Sequence, residues 1–370
     1  MRIGLLVMSI GNFGQKGFYN AQEIGLAKAL STLCDEVKVY KLVPADQPFG
    51  VEGLEGCGNA AVTFLPSKHI GINGFVDTAV LDGTLDALIC FADTQLCVPR
   101  VFHWARKNRV AFYPYIGVLE SHSTSRLKRI VIDRLFARNV AAYQKCHCFV
   151  KTPDVGEKLV RLGANLVTVT PVGLDEDLLK RDHVGVTPEV LKEKYGYAPE
   201  DKILLFVGRL TEEKQPVQMV RLFSALARKD DSYRLLMVGS GELRSDVVDA
   251  VSKHGLQSKA RLLERIPNCD IWELYRMAEA FVNLNRQEIF GMAILEAMYY
   301  GCKVVAWEAP GPNYIIESGV SGWLVGSSEQ VIERILAPED LSAAAHNRIV
   351  SSFLWRSTAE RMLASMLERI

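Results

Sequence analysis

Two glutamates, Glu288 and Glu296, sit in the stretch NLNRQEIFGMAILEAMYYG (283–301), directly after the apolar run Ala280-Phe281-Val282. An apolar run, a short loop and then a series of helix formers predict a strand, a turn at Phe290-Gly291 and a helix beginning there. The first amides of a helix lack partners within it and carry the positive end of its dipole, so they hold anions. Glu288 lies in the loop just before those amides, and a helical rise puts Glu296 about 12 Å beyond it. A carboxylate near each end of an anion site suits a ligand with hydroxyls on both sides of a phosphate: ribose, diphosphate, hexose. Two acids alone also fit the solvent face of an amphipathic helix, so the reading turns on what else converges there.

Other strand ends carry matching chemistry. Phe206-Val207-Gly208 closes an apolar run and is followed by Arg209, with Lys214 in the next loop, TEEKQP. Both cations are placed to meet a diphosphate, or else to pair with the adjacent Glu212 and Glu213. Gly239-Ser240-Gly241 follows RLLMV, where small residues let a ligand approach the backbone. Arg265-Ile266-Pro267 reads as the end of a third strand, with the backbone at Ile266 placed to read a nucleobase edge. Near the N-terminus, GNFGQKG supplies Gly11, Gly14 and Gly17 between the first strand and first helix, suited to close backbone approach or to a flexible turn. The spacing is not G-x-G-x-x-G, and the second strand, ending Val39-Tyr40-Lys41, offers no acid for an adenosine ribose. Both facts argue against an NAD enzyme.

The elements that position these residues follow from hydropathy. Strands are expected at 3–8, 37–42, 87–91, 110–115 and 146–151, alternating with amphipathic stretches such as 20–32 and 124–143. Such alternation predicts an α/β fold with parallel sheets covered by helices on both faces. The Gly-rich, poorly periodic stretch GVEGLEGCGNAAVTFLP (50–66) is read as a surface connection. At VTVTPVGLDEDLLK the pattern breaks, and a second alternation starts at Lys202. The expected organisation is therefore 1–170 and 171–350 as two Rossmann-like domains facing a central cleft, with 351–370 a helix packing back on the first.

Size and composition agree. A chain of 370 residues is long for one core and suits two domains. Net charge is zero and apolar content 49%, an ordinary globular balance that gives no support for nucleic-acid binding. No apolar run approaches a membrane span, the N-terminus lacks a secretory cleavage pattern, and the eight cysteines are scattered, so a cytoplasmic protein with reduced thiols is expected. Cys146-His147-Cys148 lacks a second ligand pair at metal-binding spacing; alternation instead puts both thiols on one face of a strand. Neutrality hides a basic region: 100–145 holds ten Lys/Arg against two acids. Its helical stretch 125–143 is either a solvated surface or a dock for an anionic acceptor or the inner face of a membrane.

With these residues in view, the ordered set FVGRL-x-x-x-K, VGSGEL, E-x-F-G-M-x-x-L-E-A-M-x-x-G and F-x-W resembles a retaining glycosyltransferase of family 4, the group 1 glycosyl transferases of GT-B fold. The resemblance covers the second half by motif and the first half only in layout. It implies that Arg209 and Lys214 hold the donor diphosphate, and that Glu288 with the amides around Phe290, Gly291 and Met292 contacts the transferred sugar and phosphate. Glu296 would hold the ribose, and Gly14 and Gly17 would lie near the phosphates. Two departures stand out. The family usually has Pro-Ser where this chain has Leu284-Asn285, and it often places a histidine directly after the fourth strand, where the register here falls on Ile116 or Gly117; the nearest histidine, His122, is the candidate for that catalytic role by way of a longer loop, or the role is unfilled.

The implied function is transfer of a hexose from a nucleotide-diphospho-sugar, UDP-linked ahead of GDP-linked, to a hydroxyl of a glycan or glycolipid. Fixed cations and helix amides aimed at the leaving diphosphate stabilise the transition state more than the ground state. In retaining members a phosphate oxygen takes the acceptor's proton, so no strong protein base is required. No Asp-x-Asp metal motif occurs, and independence of metal and cofactor is expected. The alternatives are a nucleotide-sugar epimerase of the same fold, which the two-glutamate pattern disfavours, and an inactive homologue serving as a partner subunit.

Overall fold

The computed structural model describes residues 1–10, 21–119, 126–179 and 185–368, with 126–133 described by backbone alone. The chain divides into two compact units, one built from 1–10, 21–175 and 354–368, the other from 176–353.

The first unit is an eight-stranded sheet. Its strands are β1 (Arg2–Val7), β2 (Glu36–Pro44), β3 (Gly50–Leu54), β4 (Cys57–Ser67), β7 (Ala87–Phe91), β8 (Ala111–Ile116), β9 (His147–Val150) and β10 (Leu166–Val169). A small hairpin of β5 (His69–Ile70) and β6 (Asn73–Gly74) lies apart from it. Strand order is β10-β9-β8-β7-β1-β2-β4-β3, parallel throughout except for β3 against β4. The inner strands are buried almost end to end, as a sheet covered on both faces requires: every residue of β7 is buried, and all of β1 and β8 except the first. The five strands expected from hydropathy are all present. The stretch 50–66 differs from expectation, because it forms β3 and β4 rather than a surface connection. Its period-2 signal is confined to Ala60 and Val62, both buried, while the glycines around the turn at Gly56 (φ +77°) mask the rest. Cys146 and Cys148 enter the same buried cluster, on one face of the sheet.

The last helix, Trp355–Leu367, packs on the helix Gln22–Ser31 of this unit. It is tied to the segment after β10 by Trp355 N donating to Leu174 O (3.1 Å) and by Thr358 Oγ1 donating to Pro171 O (2.7 Å). Two glycines make room for Trp355. A Cβ on Gly25 would lie 2.3 Å from its indole, and one on Gly173 would lie 2.2 Å from its backbone nitrogen. In the helix Arg126–Tyr143, the described half buries Phe136, Asn139 and Tyr143 and exposes Arg134 and Arg138. Among the described residues no helix is long and apolar enough to cross a membrane.

The second unit is a six-stranded, all-parallel sheet of β11 (Lys202–Val207), β12 (Tyr233–Val238), β13 (Ala260–Leu263), β14 (Ala278–Asn283), β15 (Lys303–Trp307) and β16 (Trp323–Val325), in the order β13-β12-β11-β14-β15-β16. Its helices fall into two contacting sets. Pro216–Ala227 meets Arg244–Lys253 and Ser328–Leu336, whereas Met292–Tyr299 meets Ile271–Met277 and Ser342–Ser352. Alternation along β11 serves both faces, with Leu204 and Phe206 entering the first set's core. The chain leaves β11 toward β12 on one side and returns to β14 on the other. The switch point of this doubly wound sheet therefore lies between the carboxyl ends of β11 and β14, where such sheets bind ligands.

Replacing Gly173 by alanine forces the new methyl into the Trp355 backbone, which has no rotamer by which to yield. The expected result is a loss of about 1–3 kcal/mol in urea unfolding, the usual cost of overpacking, with early proteolytic release of the C-terminal helix. Unfolding and proteolysis unchanged from wild type would refute the docking described here.

Candidate active site

At the switch point the segment 208–215 leaves β11 and the segment 284–291 leaves β14. Two glycines set the path of the first segment. Gly239 has φ +151°, and a Cβ there would lie 1.8 Å from Gly208 O; a Cβ on Gly241 would lie 2.4 Å from Leu210 O. The backbones of 208–210 and 239–243 are laced together by Leu210 N donating to Ser240 O (2.9 Å) and Leu243 N donating to Leu210 O (3.0 Å). The contact that demands glycine at 239 is thus with the chain itself. The same turn ends β12 at Val238, so β13 loses its partner after Leu263. Ile266 consequently lies three residues beyond that strand, half-buried in a loop, rather than at the strand end the sequence suggested.

Beyond Leu210 comes a single 3₁₀ turn, Glu212–Lys214, then Gln215 in the left-handed region (φ +55°), then the helix opened by Pro216. This abrupt change of direction separates the fates of the two cations. Arg209 is largely exposed (side chain 72%), with Nη2 2.9 Å from Glu213 Oε1. Lys214 is mostly enclosed (22%), and its Nζ lies 2.5 Å from Glu288 Oε2.

Glu288 is buried in a loop pinned at several points. Its Oε2 accepts from Lys214 Nζ, from Asn283 Nδ2 (3.1 Å) and from Asn285 Nδ2 (3.3 Å). The asparagines also shape the loop: Asn285 N donates to Asn283 Oδ1 and Gln287 N to Asn285 Oδ1, both at 2.9 Å. Gly311 N donates to Glu288 O (2.9 Å), and a Cβ on Gly311 would lie 2.1 Å from Phe290 O, so the segment 310–315 clamps the loop from outside. Phe290 is buried against Phe353. Gly291, at φ +107°, turns the chain into the helix Met292–Tyr299, and its carbonyl accepts from Ile294 N and Leu295 N. The amides of Met292 and Ala293, in the first turn, therefore lie ahead of the helical ladder.

One turn further along, Glu296 Oε2 accepts from Tyr275 OH (2.8 Å). Tyr275 is fully buried, stacked on Tyr300 and edge-on to Phe281. Burial, with the Glu296 charge beside it, pushes its phenol well above the usual range, so it remains a donor at any ordinary pH.

The fold thus brings together, at one sheet edge, Lys214, Glu288, Phe290, Gly291, Met292 and Glu296, with Arg209 and Gly239 on the adjoining loops. Gly14, Gly17 and His122 lie outside the described residues. In the first unit, the register where a histidine was expected is occupied differently: Gly117 N donates to Asp93 Oδ1 (2.6 Å), and a Cβ on Gly117 would meet the Lys151 side chain. Sequence reasoning missed Asn283, Asn285 and Tyr275. The available signal was Asn283 and Asn285 flanking Leu284 directly after an apolar strand, where two polar side chains fall on one side of an extended chain.

Residues 188–348 match the family model described as glycosyl transferases group 1. The chain is 31% identical over 216 residues to the D-inositol 3-phosphate glycosyltransferase of Actinosynnema mirum, an alignment covering 54% of this chain and 51% of that protein. It spans about half the length of the curated relatives it matches. Two solved structures align along nearly their whole length. Anabaena HepE, in complex with UDP and glucose, gives a TM-score of 0.71 at 17% identity, covering 100% of both chains. The sucrose-phosphate synthase of Thermosynechococcus elongatus gives 0.74 at 17% identity, covering 100% of this chain and 98% of the other. The fold is GT-B.

Removing the phenolic hydroxyl by Tyr275→Phe leaves the ring packing intact and deletes one hydrogen bond to a carboxylate. Stability should fall by about 1.5–3 kcal/mol, the worth of a bond to a charged group, read as a lower urea midpoint with an unchanged slope. An unchanged midpoint would mean that Tyr275 does not hold Glu296 in solution.

Proposed function

We propose, from the premise that residues 188–348 belong to the glycosyl transferases group 1 family, that this protein transfers a hexose from a nucleotide-diphospho-sugar to an acceptor hydroxyl. One observation carries the reading: the Lys214–Glu288 pair and the Gly291-capped helix N-terminus stand together at the switch point of an all-parallel sheet. Such a position supplies what the reaction needs. The sugar–phosphate bond breaks as negative charge builds on the leaving diphosphate, and fixed donors aimed at that charge lower the barrier. In this reading Lys214, Arg209 and the amides around Phe290 to Met292 face the diphosphate. Glu288 contacts the sugar, and Glu296, oriented by Tyr275, takes the ribose hydroxyls.

The donor we favour is a UDP-sugar. Support comes from the motif order in the sequence and from the likeness to HepE, whose structure holds UDP and glucose. Retention of configuration, a glycan or glycolipid acceptor and independence of metal belong to the same proposal. Retention is favoured by the resemblance of the motif order to the retaining family. The exposed arginines of the helix Arg126–Tyr143 support contact with an anionic acceptor surface.

The proposal is tested by thermal shift against a panel of UDP- and GDP-sugars, followed by release of UDP from the stabilising sugar. Wild type should be stabilised by one UDP-sugar and should hydrolyse it slowly, at a rate unchanged by EDTA. Lys214→Ala should lower the rate by about 10²–10³-fold, the usual effect of losing one transition-state donor, and Glu288→Ala, which removes the carboxylate read as the sugar contact, should lower it comparably. Rates in both variants equal to wild type would remove these residues from the active site. Separately, vesicles rich in anionic lipid should co-sediment the protein at low salt and release it at high salt; equal binding to neutral vesicles would overturn that contact.

A further inference from the structure

We infer that Asn283 and Asn285 are positioning residues that fix the orientation of the Glu288 carboxylate, one oxygen held by the protein and the other turned to the donor sugar, an inference that rests on the reading of Glu288 as the sugar contact. The second of the two stands where the resemblance leads one to expect a serine, since this chain has Leu284-Asn285 in place of Pro-Ser. Both are buried, at 9% and 4% exposure, and both aim Nδ2 at the same atom, Glu288 Oε2, which already accepts from Lys214 Nζ. A carboxylate oxygen holding three donors has no capacity to spare for a ligand. Among the described residues all three bonds fall on Oε2 and none on Oε1, so the carboxylate is held by one oxygen and presents the other. The rotation about the last side-chain bond, ordinarily broad and two-fold, is thereby fixed before any ligand arrives.

The asparagines can do this because their other atoms are already committed. Asn283 Oδ1 accepts from Asn285 N and Asn285 Oδ1 from Gln287 N, which leaves each Nδ2 turned away from its own turn and toward Glu288. A carboxamide accepts from the backbone with its oxygen and donates to a carboxylate with its nitrogen, two separate atoms. A serine at 285 would have one shorter hydroxyl oxygen for both tasks.

Aspartate replaces asparagine without changing shape. It keeps the oxygen that accepts from the backbone, removes the donor and sets a second carboxylate beside Glu288, so N283D and N285D retain the turns while losing the grip. Binding of UDP and of UDP-glucose (or whichever UDP-sugar stabilises wild type) is measured for wild type, N283D, N285D and N285S, together with kcat and KM for UDP release. The expectation is UDP affinity within twofold of wild type in all three variants, the gain from the attached sugar cut at least tenfold in N283D and N285D, and kcat cut at least tenfold. N285S, which keeps a hydroxyl donor, should fall between. A purely structural role would lower both affinities together or neither, and either pattern with unfolding unchanged overturns the inference. Absence of any nucleotide-sugar binding by wild type overturns the underlying reading instead. A crystal structure of the N283D/N285D double variant then decides the positioning claim by itself: a Glu288 carboxylate in the wild-type orientation with one oxygen still on Lys214 Nζ refutes it, and a carboxylate turned away from Lys214 upholds it.

Discussion

One carboxylate oxygen, Glu288 Oε2, collects a lysine 74 positions away in the chain and two asparagine amides 5 and 3 positions away, and the switch-point geometry depends on it. The Lys214–Glu288 attraction alone would not hold such an arrangement. Two largely enclosed charges lose hydration worth several kcal/mol each, and their attraction offsets this only when the remaining valences are also satisfied. The asparagines satisfy them. They also come from the end of β14 and its outgoing loop, whereas the lysine comes from the loop leaving β11. The interaction therefore exists only if β11 and β14 are neighbours, and a parallel sheet with its order reversed at β11 is the topology that makes them so.

Steric constraints of the opposite kind hold the surrounding backbone. Gly239, Gly241 and Gly311 are each pressed against a carbonyl of another segment, closer than any side chain permits. Gly291 takes a conformation costly for residues with a Cβ, and through it a buried loop becomes a helix. Attraction fixes the carboxylate, and exclusion of side chains fixes the loops that carry it. Glycines at a strand edge invite a ligand-contact reading, yet at 239 and 241 the neighbour is the protein itself. The two readings are compatible at a switch point, since loops packed this tightly are also rigid.

The distinction explains what the sequence disclosed. Strands such as Ala87–Phe91 and Lys202–Val207 were legible because a sheet covered on both faces demands an unbroken apolar run, and the run is local. The 57–67 strand was obscured because glycines in its hairpin dilute the alternation. Lys214, Glu288 and Glu296 were legible as chemistry at strand and helix ends. Which atoms they touch was not, because Lys214 and Glu288 become neighbours only through the order of strands. Tyr275 was hidden for the same reason: an aromatic residue in an apolar helix signals core, and only the packing of Ile271–Met277 against Met292–Tyr299 turns its hydroxyl to Glu296. Ile266 was misplaced because its strand ends where the neighbouring strand turns away at Gly239.

Arg209 and Lys214, assigned one role by resemblance, are physically unlike. Lys214 is enclosed and shares its charge with Glu288, so the pair is close to neutral as seen from outside. Arg209 is exposed and joined to Glu213 by a surface contact of the kind worth about 0–1 kcal/mol. An arriving diphosphate would displace Glu213 from the guanidinium at little cost, gaining a bidentate partner. Displacing Glu288 from Lys214 would strand a buried carboxylate, which is far more expensive. On the proposed reading, then, Arg209 is the cation that responds to the donor, and Lys214 is held in place beforehand. The lysine's contribution is direction, with three protons on one nitrogen and one of them already given to Glu288. The remaining two are available to a phosphate without disturbing the carboxylate that faces the sugar.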